Sequence, residues 1–411
     1  MNHDAGNFAL LMFVMSMILL MSVPIQALMK HLALPPMVGF IGLGIGLSVL
    51  NSSKPLIPTS VTDQITMLGQ LGVLALLFRV GLESDLSSLL SQLRRATLIW
   101  LPNMLVPAAL AFALIWAWPG LGLLPAMLIG IAASATSIGV SVAVWKEAGK
   151  ANTDDGALLL DVAALDDLST LILLGIIYAV VPLLHAGTST GSALLWETFA
   201  ATGIQLAKIA VFCVACYVFS EYLEQRLTRQ FARLNFHLGP FVFAAGAVFL
   251  IGALAEGLGL SMAVGALFAG LAFSRDPAER RIDVAFGYFL ALFEPFFFVS
   301  IGLSVALSNV GPVLVLAASL LIVLVMGKLI GAGVPAAMMF GRRTGLLIGA
   351  SMVPRAEIFL IVVLHGFMLG PWAMPPTLYA AAVLAGIGTC VIGPLIAERL
   401  LLTQSSRGKP I

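Results

Sequence analysis

Apolar runs of about twenty residues recur from one end of the chain to the other, interrupted by short clusters of charged, proline and glycine residues. A bilayer core about 30 Å thick takes roughly 20 helical residues per crossing. Dividing the chain at its polar punctuation gives thirteen segments: 7–30, 35–50, 64–83, 94–118, 121–147, 155–181, 196–224, 237–258, 260–274, 283–307, 312–340, 344–369 and 375–401. The pattern predicts an all-α polytopic membrane protein, and a composition 60% hydrophobic and only 10% charged agrees with it. The first segment has neither a basic leader nor a small-residue cleavage site after it, so it is expected to be a retained span.

The basic residues partition by side. Alternate loops carry Lys30, Arg94, Arg95, Lys146, Lys150, Arg226, Arg229, Arg233, Arg275, Arg280, Arg281, Arg342, Arg343, Arg399, Arg407 and Lys409, whereas the opposite loops carry only Lys54. The positive-inside rule then predicts an outer amino terminus and a cytoplasmic carboxyl terminus. Loops are too short for a soluble domain, so the function is expected to lie within the membrane. An odd number of spans suits two inverted six-helix repeats joined by a linker helix, the seventh span. "AMLIGIAASATSIG" in span five faintly echoes "GLLIGASMVPRAEI" in span twelve. A net charge of +1 with no basic stripe excludes a nucleic-acid partner. Cys213, Cys216 and Cys390 all fall within spans and read as packing residues.

Polar residues at membrane depth carry the functional argument. An ionisable side chain at the bilayer centre costs about 2.5–3.5 kcal/mol, so it faces a partner or a wet cavity. Asp166 and Asp167 lie near the middle of span six, Lys328 of span eleven, Arg355 and Glu357 of span twelve, and Thr136 and Ser137 of span five. Four spans thus place polar groups at one depth. Spans five and twelve also read as discontinuous helices crossing at an ion site. Pro354 in "SMVPRAEIF" removes a backbone donor, and "GIAASATSIG" is small and hydroxyl-rich. Broken-helix ends offer carbonyls to a cation, and a carboxylate pair supplies the hard oxygens that a small cation prefers.

Several stretches, in order, resemble one family. "LGVLALLFRVGLESDL", "ATSIGVSVAVWKEAG", "ALDDLSTLILLG", "FEPFFFVSIGL", "GKLIGAGVPA" and "GASMVPRAEIFLIV" are similar to the bacterial sodium/proton antiporters of the second branch of the cation:proton antiporter family. The adjacent aspartates with a lysine five spans later are the most specific of these features. The resemblance implies a homodimer in the bacterial inner membrane, needing no cofactor. It implies dimerisation segments 1–92 and 235–309, core ion-transport segments 93–182 and 310–411, and a linker at 183–234. It also implies Asp167 as the main cation ligand, Asp166 as the partner of Lys328, and Thr136 beside the bend. The family's Pro-Arg-Gly-Glu segment reads here with Ala356 in place of glycine, which stiffens the break.

The expected chemistry is competition. Desolvation favours neutral carboxyls and adjacent carboxylates resist ionising together, whereas a dehydrated Na⁺ or Li⁺ needs the same oxygens ionised. Lys328 either gives up its own proton in the cycle or serves only as ballast for Asp166. Two protons against one Na⁺ would move net charge, each charge being worth about 2.3 kcal/mol per 100 mV. Asp161, about 140° around the helix and roughly 7 Å nearer the cytoplasm than Asp166, lines an inward funnel or makes a local hydrogen bond. Arg355 and Glu357 brace the unwound backbone. Glu294 faces the pathway or satisfies groups freed by Pro295, and His365 is a candidate pH sensor. Arg79 is expected to pair with Glu83 four residues on. The alternatives are a sodium-coupled organic-solute symporter and a K⁺/H⁺ antiporter. An intramembrane aspartyl protease is disfavoured because its two acids would come from different helices, and a channel because no pore loop repeats.

Overall fold

The computed structural model describes residues 2–53, 56–83, 86–147, 149, 153–186, 192–233, 238–274, 279–306 and 310–405, with side chains described over a narrower set. Among the described residues there is no β-strand. The all-helical fold predicted from hydropathy is therefore what the chain adopts. In chain order the helices are α1 (Asn2–His31), α2 (Pro36–Ser53), α3 (Thr59–Glu83), α4 (Leu86–Trp116), α5 (Leu123–Ser134), α6 (Ile138–Glu147), α7 (Asp154–Ala186) and α8 (Ser192–Val218). After a π-helical turn, Phe219–Glu224, come α9 (Gln225–Arg233), α10 (Gly239–Gly257), α11 (Met262–Phe273), α12 (Glu279–Leu303), α13 (Val310–Gly331), α14 (Gly333–Phe340), α15 (Arg342–Ser351), α16 (Glu357–Met368) and α17 (Pro376–Ser405).

Among the described residues, nine helical stretches are long and apolar enough to cross a membrane, accompanied by shorter apolar helices at Pro36–Ser52, Met262–Phe273 and Glu357–Met368. Large apolar side chains such as Phe13, Trp196, Phe199, Tyr288, Ile322 and Met338 are exposed, as lipid favours and water does not.

Besides helix ends that run past the predicted bounds, as α4 does in starting at Leu86, two segments depart from the predicted pattern. The stretch after residue 224, expected as a loop, stays helical through α9. Its polar sequence is amphipathic: Arg226 and Arg229 are exposed while Thr228 is buried, its hydroxyl donating to Glu224 Oε1 at 2.8 Å. The single helix expected over 312–340 is interrupted at Ala332. Pro335 has no N–H for the carbonyl of Gly331, and glycines flank the break at 331 and 333.

Contacts divide the chain into two compact units. The first comprises Met1–Leu19, Pro58–Ser88 and Leu171–Ser300. Its densest packing is α3 against α11, where Gly81 and Gly270 let backbones touch; a Cβ on Gly270 would meet the Phe78 carbonyl, and one on Gly81 the Leu267 carbonyl. Phe78 fills the adjoining space against Phe273 and Phe286, at centroid distances of 5.9 and 4.1 Å. Arg79 Nε pairs with Asp283 Oδ1 at 2.8 Å, so its partner on α12 is reached across the fold. The pairing expected with Glu83 involves a side chain outside the described residues.

The second unit comprises Leu20–Ile57, Leu89–Thr170 and Ile301–Ile411. Its core joins α6, α7, α14, α15 and α17 through Trp145, Leu159, Val162, Ala336, Ile348 and Ala397. Glycines again set the approach: Gly345 and Gly349 on α15 lie against Ala337 and Gly333 of α14.

Overpacking a backbone-to-backbone contact typically loses about 1–3 kcal/mol or more. Gly270→Val is expected to remove most folded protein, and Gly46→Ala, where a Cβ meets nothing within 4 Å, to leave it unchanged. Fluorescence-detected size exclusion with a melting series checks both.

Candidate cation-binding site

The second unit contains two helix breaks that meet. α5 ends at Ser134, Ala135–Ser137 are non-helical, and α6 begins at Ile138. α15 ends at Ser351, residues 352–356 are non-helical, and α16 begins at Glu357. Pro354 accounts for the second break. It denies a donor to the preceding turn, and Ala356 in place of glycine does not close the gap.

The breaks hydrogen-bond to each other. Ser137 N–H donates to the Pro354 carbonyl at 2.8 Å, and Ser137 Oγ donates to Glu357 Oε2 at 2.9 Å. Glu357 thus sits in the first turn of α16, where the macrodipole favours an acid.

The carbonyls left open at the C-terminus of α5 are taken by cations, again with the dipole. Arg355 donates to Ala133 O from Nη2 at 2.6 Å and from Nε at 3.2 Å; its Nη1 reaches Leu324 O at 3.3 Å and Val353 O at 3.2 Å. Lys328 Nζ donates to Ser134 O at 2.8 Å. α17 holds Arg355 in turn, since Thr389 Oγ1 accepts from its backbone N–H at 2.9 Å and the Cys390 thiol donates to its carbonyl at 3.3 Å. Further out, Ser351 joins the two breaks: its hydroxyl accepts from Trp145 Nε1 at 2.8 Å, and its carbonyl accepts from Ser141.

Asp166 stands at the centre. Its Oδ2 accepts from Lys328 Nζ at 2.8 Å, from Thr136 Oγ1 at 2.8 Å and from Asn103 Nδ2. Both members of the Asp166–Lys328 ion pair are fully buried. Asp167 follows on the same helix at 5% exposure, with the Thr136 backbone N–H directed to its carboxyl. One turn on, Thr170 donates to the Asp166 carbonyl and meets the Ser134 hydroxyl, each at 2.8 Å, tying α7 to the end of α5.

The structure therefore brings together Asp166, Asp167, Lys328, Thr136, Ser137, Arg355 and Glu357. Asp161 lies on α7 in the same unit, its side chain outside the described residues. Glu294 is half-buried on α12, in the first unit. His365 is half-buried on α16, with Nδ1 2.8 Å from the Ile361 carbonyl one turn back.

Asn103, Ser134 and Thr389 were not anticipated, and all three are fully buried. The signal for Asn103 was present, because it is a polar residue mid-span between Pro102 and Pro107. Pro107 has no N–H for the Asn103 carbonyl four residues back. That free carbonyl accepts from Lys328 Nζ at 3.2 Å.

The family model described as sodium/hydrogen exchanger, transmembrane, matches residues 16–403. The chain belongs to the sodium/hydrogen exchanger family. It is accordingly a multi-pass integral membrane protein of a family of cation/proton antiporters. Among its relatives, the high-affinity Na⁺/H⁺ antiporter NhaS3 of Synechocystis sp. is 26% identical over 343 residues, covering 81% of this chain and 70% of that one. The Na⁺/H⁺-K⁺ antiporter GerN of Bacillus cereus is 27% identical over 392 residues, covering 93% and 94%. The solved sodium proton antiporter MjNhaP1 from Methanocaldococcus jannaschii shares the exchanger fold, with a TM-score of 0.69 at 15% identity over 96% of this chain and 99% of that one.

Arg355 tests how much the breaks depend on buried cations. Arg355→Ala strands the carbonyls of Ala133 and Val353, and leaving such groups unpaired is costly, about 1–3 kcal/mol for each that water cannot reach. A large drop in thermal stability is expected. Arg355→Lys recovers only part of it, because one ammonium cannot reproduce the planar fork. Thermal unfolding of the purified protein in detergent measures both.

Proposed function

We propose that this protein exchanges Na⁺, with Li⁺ as an alternative cargo, for H⁺ by alternating access, and that two protons move per cation. The observation that carries this reading is the buried Asp166–Lys328 pair with Asp167 beside it, set where two broken helices meet. Proton and alkali cation both require those carboxylate oxygens and exclude one another. Asp167 is the principal cation ligand. Asp166 exchanges Lys328 for the cation, Thr136 and Ser137 line the bend, and Arg355 and Glu357 keep the unwound backbone satisfied. Asp161 lines the inward approach, and His365 acts as the pH sensor near the outer surface.

The adjacent-aspartate motif with its lysine supports assignment to the electrogenic second branch. The wider architecture follows the same reading: thirteen spans in two inverted repeats about α8, with the amino terminus outside. The chain would form a homodimer in the bacterial inner membrane through residues 1–92 and 235–309, and residues 93–182 and 310–411 would carry the ion. A K⁺/H⁺ exchanger is the second reading, because the name of GerN includes K⁺. An organic-solute symporter is less well supported, because the lysine at the site is already engaged by Asp166 and two backbone carbonyls.

Proteoliposomes with an internal pH dye decide among these. Adding Na⁺, Li⁺ and K⁺ in turn is expected to drive H⁺ flux with Na⁺ and Li⁺, and Asp167→Asn and Asp166→Asn each to lower it by about 100-fold or more, as loss of the competing carboxylate demands. A response to K⁺ alone would favour the second reading. For the stoichiometry, one net charge per cycle corresponds to about a fifty-fold shift in the equilibrium Na⁺ ratio per 100 mV. A ratio indifferent to imposed potential would refute 2:1 exchange.

A further inference from the structure

We propose that Asn103 is a specificity-determining residue of the ion site, its side-chain carbonyl Oδ1 acting as a neutral ligand to the dehydrated cation beside the carboxylates of Asp166 and Asp167. The inference rests on the antiport reading above.

Asn103 is fully buried on α4, and its Nδ2 donates to Asp166 Oδ2. That orientation of the amide follows from charge, since turning it over would set Oδ1 against a carboxylate with no proton between them. The consequence falls on Oδ1. It is buried without a donor, and among the described residues the same holds for Asp166 Oδ1 and Asp167 Oδ1.

Buried polar atoms without partners are few in folded proteins and call for an explanation. Here three belong to residues that are linked: Asn103 bonds to Asp166, and Asp167 is its neighbour in the chain. Hard oxygens of this kind, two anionic and one neutral, are what an alkali cation requires when it leaves its hydration shell. Lys328 has no proton left for them, because its three N–H groups go to Asp166 Oδ2, Asn103 O and Ser134 O.

The backbone of Asn103 is held as firmly as its side chain. Pro107 frees its carbonyl, which Lys328 takes at 3.2 Å, so the residue touches both halves of the ion pair. A ligand fixed at both ends is preorganised. An amide oxygen adds coordination without adding charge. It therefore favours one alkali ion over another through size and dehydration, leaving the carboxylates to balance charge.

The test compares the full-length wild type with Asn103→Ala and Asn103→Gln in proteoliposomes, using dye-reported H⁺ flux against Na⁺, Li⁺ and K⁺ concentration, and Na⁺-dependent thermal stabilisation in detergent. Asn103→Ala is expected to raise the half-saturating Na⁺ concentration by about tenfold or more, with a smaller effect on maximal rate, and to change the Na⁺/Li⁺ preference. Asn103→Gln keeps a neutral carbonyl oxygen and the amide donor to Asp166, and is expected to stay within about threefold of wild type in half-saturation. Wild-type half-saturation and cation preference in Asn103→Ala would overturn the inference. So would an Asn103→Gln variant impaired tenfold, which alone decides the matter if the alanine variant does not fold. Absence of flux with all three cations in the wild type would instead refute the antiport reading itself.

Discussion

A helix cannot be interrupted at membrane depth unless every carbonyl and N–H released by the interruption finds a partner, because lipid supplies none. That constraint organises the second unit. The break after α5 releases the carbonyls of Ala133 and Ser134; Arg355 takes one and Lys328 the other. The break after α15 releases the Pro354 carbonyl, and the Ser137 N–H from the opposite break takes it. Neither interruption is satisfied alone. The two breaks and the two cations form one closed set, and the carboxylates of Asp166 and Glu357 offset the charge so introduced.

The Asp166–Lys328 pair reads differently in that context. A buried ion pair is weak grounds for stability, since desolvating both charges can outweigh their attraction. Two of the three acceptors of Lys328, however, are backbone carbonyls fixed by the fold. They stay in place whatever the charge on Asp166. The ammonium is thus anchored independently of the carboxylate it neutralises, and a change of partner at Asp166 does not require the lysine to be solvated elsewhere. The exchange of partners proposed for Asp166 would draw on that independence.

What could be read from the sequence follows the strength of each physical signal. Long apolar runs, the proline in "SMVPRAEIF" and ionisable residues at a common depth are expensive in lipid, and each corresponds to a helix, the second break or a member of the cluster. Weaker signals were lost. Asn103 carries no charge, and a lone amide in an apolar helix does not stand out until Asp166 is seen against it. The interruption at Ala332 rests on Pro335 between small residues, where hydropathy never falters. The π-helical turn into α9 is held by Thr228 and Glu224, a local bond that a reading of charge alone assigns to a loop. Arg79 found its acid on α12 at Asp283, a choice that depends on which helices adjoin and not on spacing along one of them.

Prolines and glycines with no chemistry of their own set the position of the charged groups. Gly327 and Gly331 flank Lys328 on one face of α13, and a Cβ on either would lie 2.7 Å from Pro107 or 2.6 Å from the Pro102 carbonyl. With only hydrogen there, α13 lies directly on α4, and the Lys328 ammonium reaches the Asn103 carbonyl of that helix. Pro107 leaves the Asn103 carbonyl without a helical donor at the place where the ammonium arrives. The proline creates the acceptor and the glycines bring the donor to it. The ion pair at the centre of the site therefore depends on the backbone of two apolar helices as much as on the residues that carry charge.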